Sequence, residues 1–241
     1  MKTILLGGIL AFSAAAQAPT EPPPILQLIQ WPGAAMAPAR PYANARAAVD
    51  ALGMVSITGV PEAWQIELHQ SFAGIEDLDK AAGPAGSSHR TLIAFYRPGW
   101  SYRADQAIRM FPRAHYFHIT VYCVRPDAED QLGELVKLRR LSADSVNLDR
   151  PDLAYQVVSG APSGTFLFLA PLTSLKAMDE GVAKIPVYAE ATAAARAKTA
   201  SQVSADGEIS REHTLFRVEP RMSYVSDDFA EADREFWRPK N

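Results

Sequence analysis

The 241-residue chain has a single cysteine, Cys123, so no disulfide can form within it. Stability in an oxidising compartment must then come from packing. Cys123 falls in an alternating apolar run, which predicts a buried, inert thiol. Charge of one sign is also scarce: 24 Lys and Arg stand against 27 Asp and Glu, a net charge of −3. Without a basic stripe, nucleic acid and anionic membranes are poor partners. Past the N-terminus no apolar run reaches the ~20 residues a bilayer span needs. Familiar catalytic signatures are missing as well. The chain has no Gly-x-Ser-x-Gly elbow and no phosphate-loop or dinucleotide glycine motif. Its five histidines contain no His-x-His or His-x-x-x-His pair. His115 and His118 would fall on opposite faces of a strand, so no metal site is expected.

The N-terminus, by contrast, carries a secretory pattern. Lys2 is a short positive region, Ile4 to Phe12 an apolar core, and Ser13 to Ala18 a small-residue cleavage region. Residues 1–18 therefore read as a signal peptide, cut after Ala16 or after Ala18, and the expected location is secreted or periplasmic. No membrane contact is expected after cleavage. Residues 19–24 form a stiff, Pro-rich lead-in. The remaining roughly 220 residues can bury a substantial core.

Within that remainder one pattern is written twice. Gly59 and Pro61 correspond to Gly160 and Pro162, and Ile66 and Leu68 to Leu167 and Leu169. Each copy ends alike, with Pro98-Gly-Trp-Ser-Tyr102 in one and Pro220-Arg-Met-Ser-Tyr224 in the other. A shared pattern of this length points to a duplicated structural unit.

The periodicities agree with a duplication. Strand character over Ile25–Trp31, a weak Ala-rich helix over Ala39–Leu52, strands at Met54–Thr58 and Ala63–His69, a helix capped by Ser71 and a strand at Arg90–Tyr96 give β-α-β-β-α-β. The second copy repeats the order. Its strands are Tyr116–Val124, Ala154–Ser159, Thr165–Leu169 and His213–Val218. Its helices are Asp127–Leu141 and one capped by Thr173 that runs through Pro186 to Ser201. The expected domains are a first ferredoxin-like half at 25–110, a second at 111–226, and a tail at 227–241 docked through Phe229, Phe236 and Trp237. The fold class is α+β: two tandem ferredoxin-like halves packed sheet to sheet as a pseudo-dimeric α/β barrel.

On Pro24-Ile-Leu-Gln-Leu-Ile, Gly59-Val-Pro-Glu-Ala-Trp64, Tyr155-Gln-Val-Val-Ser-Gly-Ala-Pro162 and Arg221-Met-Ser-Tyr-Val-Ser226, the chain resembles the dimeric α/β-barrel superfamily in tandem form. That superfamily includes antibiotic-biosynthesis-monooxygenase-like and NIPSNAP-like domains. The resemblance is nearer still to uncharacterised secreted bacterial proteins. It implies a fold with a central cavity rather than one reaction, because the fold hosts monooxygenases, haem enzymes, isomerases and binding proteins. No histidine falls in a helix with a motif for an axial haem ligand, so no cofactor is expected. The oligomeric state stays open between a monomeric pseudo-dimer and a homodimer.

If helices cover the purely apolar strand faces, the interior receives the polar ones: Gln65, Glu67 and His69 from one half, and Tyr116, His118 and Tyr122 from the other, joined by Tyr155 and Gln27. A histidine beside a carboxylate is a minimum set for proton transfer, which makes His118 and Glu67 the catalytic candidates. Gln65, His69, Tyr116, Tyr122 and Tyr155 are the ligand-binding candidates. Three functions remain open: binding of a small apolar or aromatic molecule between the sheets, a cofactor-independent monooxygenase or isomerase using His118 as base, and a non-catalytic interaction protein with a filled barrel. A cavity lined by His118 and Glu67 favours the first two, and a filled centre the third.

Overall fold

The structure is a computed structural model that describes residues 21–33, 49–81, 89–195, 197 and 210–239. The signal peptide, the start of the lead-in, most of the expected helix over 39–52 and the end of the helix expected to reach Ser201 lie outside these residues.

Eight strands close a barrel: β1 (Ile25–Pro32), β2 (Ala51–Ser56), β3 (Glu62–His69), β4 (Arg90–Tyr96), β5 (Tyr116–Cys123), β6 (Leu153–Ser159), β7 (Thr165–Leu172) and β8 (Ser210–Val218). Their order around the barrel is β1-β3-β2-β8-β5-β7-β6-β4, with every neighbouring pair antiparallel. Each half contributes four strands in its own order 4-1-3-2, the ferredoxin-like arrangement. The halves meet at two seams, β2–β8 and β4–β6. Helices α1 (Phe72–Ala81), α2 (Ala104–Met110), α3 (Glu129–Ser145) and α4 (Lys176–Ala191) follow strands β3, β4, β5 and β7 in the chain, and α5 (Asp227–Glu231) and α6 (Arg234–Trp237) form the tail.

Strand alternation decides what fills the barrel. Leu26, Leu28, Met54, Ile66, Phe117, Ile119, Tyr155, Leu169 and Phe216 point into one continuous, fully buried core. Trp64 and Phe216 meet across the halves with ring centroids 4.5 Å apart. Each such side chain contributes on the order of 2 kcal/mol. The expected face assignment is therefore inverted. An eight-stranded barrel is just wide enough to be filled by side chains, so its dry interior takes the apolar rows. The polar rows lie on the outer face, beneath the helices. Among the described residues these side chains meet in one buried cluster between the two sheets.

The closing motifs of the repeat are clasps between the halves. Pro98–Trp100 and Pro220–Met222 each form one 3-10 turn. After the first, Ser101 Oγ donates to Arg97 O and accepts from Ala154 N of the other half. After the second, Ser223 Oγ donates to Glu219 O and accepts from Gly53 N of the first half. Tyr102 and Asp152 exchange both backbone hydrogen bonds, as do Tyr224 and Ala51. The lead-in also joins the barrel: Tyr96 N donates to Pro24 O, and the Tyr155 hydroxyl to Pro23 O.

Several local expectations change. Ala51 and Leu52 are strand, because Ala51 pairs with both Glu67 and Tyr224. Thr173 does not cap α4, whose N-cap position is Leu175 with no side-chain cap bond. Cys123 is half-buried rather than buried, since it stands at the last position of β5. The tail docks through its aromatics. Trp237 Nε1 donates to Pro112 O, and Phe236 stacks on His115 at 4.1 Å.

Candidate functional site

The outer face of the second half carries a cavity of about 520 Å³. Its floor is the row His118, Thr120 and Tyr122 of β5, and these three share a face because they alternate with the core residues Phe117 and Ile119. Antiparallel pairing sets Ala170 and Phe168 of β7 opposite His118 and Thr120, and His213 and Arg211 of β8 opposite Thr120 and Tyr122. The walls are helical. Helix α3 supplies Leu135, Leu138 and Arg139, and α4 supplies Met178, Val182, Ile185 and Tyr188. Gly181 lets α4 approach closely, since a Cβ there would stand 3.3 Å from Arg150 Nη1. Pro186 lacks the N–H that an α-helix interior uses, which weakens α4 at the cavity wall.

Part of the cavity lining is polar and cationic. Arg150 Nη2 lies 3.2 Å from His118 Nδ1. A guanidinium only donates, so Nδ1 accepts and the neutral imidazole carries its proton on Nε2. His118 and His213 stack with centroids 5.3 Å apart and planes 15° off parallel, and His213 Nδ1 lies 3.0 Å from Thr120 Oγ1. Burial first, then the charges of Arg150, His213 and Arg139, lower the His118 pKa to about 4. His213 is lowered by burial and by Arg211 and Arg150. Arg139 grips the buried Asp152 with two bonds of 2.8 and 3.0 Å and lies over the Phe168 ring at 4.5 Å. Burial raises the Asp152 pKa and Arg139 opposes the rise.

The candidates read from sequence divide between the two sheets. His118 and Tyr122 line the cavity; Tyr116 shares their strand face but not the cavity lining. Gln65, Glu67 and His69 are all buried on the outer face of the first sheet, where Glu67 stands opposite Gln27. There Gln65 Nε2 donates to Glu67 Oε1 at 2.6 Å, and His69 Nε2 lies 3.4 Å from Glu67 Oε2. Glu67 and His118 thus belong to separate surfaces, and the structure does not bring them together. Tyr155 points into the filled barrel, where burial pushes its phenol pKa up. Arg150, Arg211 and His213 are cavity residues that the sequence reading did not single out. The signal for His213 was its alternation with Arg211 once β8 is taken to begin at Ser210. Nothing in the sequence marked Arg150, which reaches the cavity from the connection after α3. Among the described residues no cluster of three or more His, Cys, Asp or Glu is arranged to hold a metal ion, and all five histidines lie outside helices.

A closed eight-stranded barrel with helices outside it, built from two ferredoxin-like halves, defines a dimeric α/β-barrel fold in a single chain. No protein-family model matches the chain, and neither does any curated protein. Solved structures do. The chain is similar to an anthrone oxidase-like protein, with 13% identity, 83% of this chain and 93% of that one covered, and a TM-score of 0.50. It is also similar to a proposed monooxygenase from Fusobacterium nucleatum subsp. nucleatum, with 8% identity, 82% and 93% covered, and a TM-score of 0.47. A third is a proposed chlorite dismutase, with 14% identity, 87% and 99% covered, and a TM-score of 0.42. At these identities the likeness is one of fold.

Proposed function

We propose that this is a secreted protein that binds a small, apolar or aromatic molecule in the cavity between its second sheet and helices α3 and α4. The observation that carries the reading is the cavity itself. About 520 Å³ lies within the range of small-molecule sites, and Leu135, Leu138, Phe168, Val182 and Ile185 surround a few convergent polar groups. The ligand position moves from the barrel interior, which side chains occupy, to the helix-covered face. Native mass spectrometry of protein purified from its own periplasm tests the proposal. A retained small molecule, lost in a Leu138→Trp variant that fills the cavity, is the expected result. A parent that carries nothing and binds no aromatic probe would sink it. The same spectrum gives the subunit count, and its intact mass reports cleavage after Ala16 or Ala18 or none.

A second reading, a cofactor-independent monooxygenase or isomerase, draws on one observation. Arg150 holds His118 as a neutral donor beside a cation, which suits stabilisation of an enolate or phenolate oxygen. In that arrangement His118 donates from Nε2 instead of abstracting a proton, so its role differs from that of a general base. His118→Ala separates the readings: turnover lost at saturating ligand marks an enzyme, and a change in affinity alone marks a binder. The third reading, an interaction protein, is supported by the filled barrel but leaves the cavity without a role.

A further inference from the structure

We propose that the cationic side chains of the cavity lining form an anion subsite, in which Arg150, Arg211 and His118 receive a carboxylate carried by an otherwise apolar or aromatic ligand. The inference rests on the cavity being a ligand site and names the chemistry of what it takes. Four arginines border this space, and two of them are already engaged. Arg139 is paired with Asp152, and Arg140 donates to Gly99 O. Arg150 and Arg211 have no carboxylate within 4 Å among the described residues, and the one polar contact of the Arg150 side chain there is the neutral Nδ1 of His118.

A guanidinium held largely out of water with no carboxylate in contact is costly; Asp152 offsets part of that cost for Arg150 through space but is itself gripped by Arg139, and a structure keeps such a group where a partner completes it. Arg150 has five N–H donors and spends one on His118. The rest of its planar fork fits the two oxygens of a carboxylate. The same contact leaves His118 with its Nε2–H as a further donor, and Arg211 stands two residues from His213 on the same face of β8. Burial first pushes both histidines below their ordinary pKa, and the positive charge of Arg150 adds to the shift in each. The helices add apolar side chains to the same lining, with Leu135, Leu138, Val182 and Ile185. The lining therefore combines a cationic group of side chains with apolar ones that reward burial of a ring or chain.

The test uses the full chain and calorimetric titration with two probes of one shape, naphthalene-2-carboxylate and naphthalene-2-carboxamide. The carboxylate is expected to bind at least tenfold more tightly. Arg150→Gln is expected to abolish most of that preference while leaving the carboxamide affinity within twofold, which also reports that the variant is folded. If Arg150→Gln loses the carboxamide too, the exposed Arg211→Gln decides by the same ratio, with at least a threefold loss for the carboxylate alone. Equal affinity of both probes for the parent, or an unchanged preference in a folded variant, overturns the anion subsite and leaves the cavity reading standing. No binding of either probe to the parent, or binding that Leu138→Trp does not weaken, overturns both.

Discussion

Tyr155 and His118 occupy opposite faces of the same barrel wall, and each is constrained by one hydrogen bond. The Tyr155 hydroxyl is sealed in the core and donates to Pro23 O at 3.1 Å, which ties the second half to the lead-in of the first. Tyr155→Phe removes the donor and strands the carbonyl, so a loss of about 1–2 kcal/mol is expected. In a protein of this size that lowers the melting temperature by a few degrees, and ligand affinity should not change. His118 gives a pH signature. It is faced by Arg139 of α3, Arg150 and Asp152 from the segment before β6, His213 and Arg211 of β8, and Tyr122 of its own strand. Its pKa is about 4 in the folded protein against 6.5 for the free side chain. Above pH 6.5 both states hold it neutral and stability does not depend on it. Between pH 6.5 and 4 the unfolded chain takes up the proton first, so stability falls as pH falls, and below about 4 the effect is complete. After allowance for partial solvation the loss is on the order of 2 kcal/mol. Urea midpoints against pH for the parent and for His118→Gln should diverge in that window; parallel curves would refute the assignment.

At the scale of single elements the two hairpin glycines give a matched comparison. Gly59 and Gly160 are equivalent in the repeat and both have positive φ, 77° and 87°. Any side chain there is strained by roughly 1–2 kcal/mol. A Cβ on Gly59 meets nothing nearer than Thr214 Oγ1 at 3.7 Å, whereas one on Gly160 would collide with Thr91 O at the β4–β6 seam. Gly160→Ala should therefore destabilise by clearly more than Gly59→Ala, measured by denaturant unfolding. The glycines, the strand alternation and the duplicated order were all legible in the chain, because local backbone needs and side-chain period are written locally. Which face turned inward was not. Both faces of β3 carry residues that end up buried, Trp64 and Ile66 on one and Gln65 and Glu67 on the other, so composition alone did not decide. Barrel closure decided it, and closure is set by pairing between strands as far apart in sequence as β2 and β8. Arg150 was illegible for a related reason: it belongs to a connection whose path depends on how α3 and α4 pack.

For the whole molecule, the decisive question is whether two halves that share one core unfold as one. The interior is continuous, with Leu28 and Met54 of one half in the same cluster as Leu169 and Phe216 of the other. The Pro-x-x-Ser-Tyr segment of each half is bonded to the second strand of the opposite half. Neither half can thus open without exposing apolar surface of the other, and a single cooperative transition follows. Ser101→Ala and Ser223→Ala test this directly. Each variant removes an acceptor from a backbone N–H, Ala154 N in one and Gly53 N in the other, at a cost of about 1–3 kcal/mol. The two clasps use different partners, so their effects should add in the double variant. The near-ultraviolet signal, with contributions from Trp64 in the first half and Trp237 in the tail, and the far-ultraviolet signal should shift together in every variant. Transitions that separate in Ser101→Ala but not in Ser223→Ala would mean that the halves are independent units joined at a seam, and the one-core description would fail.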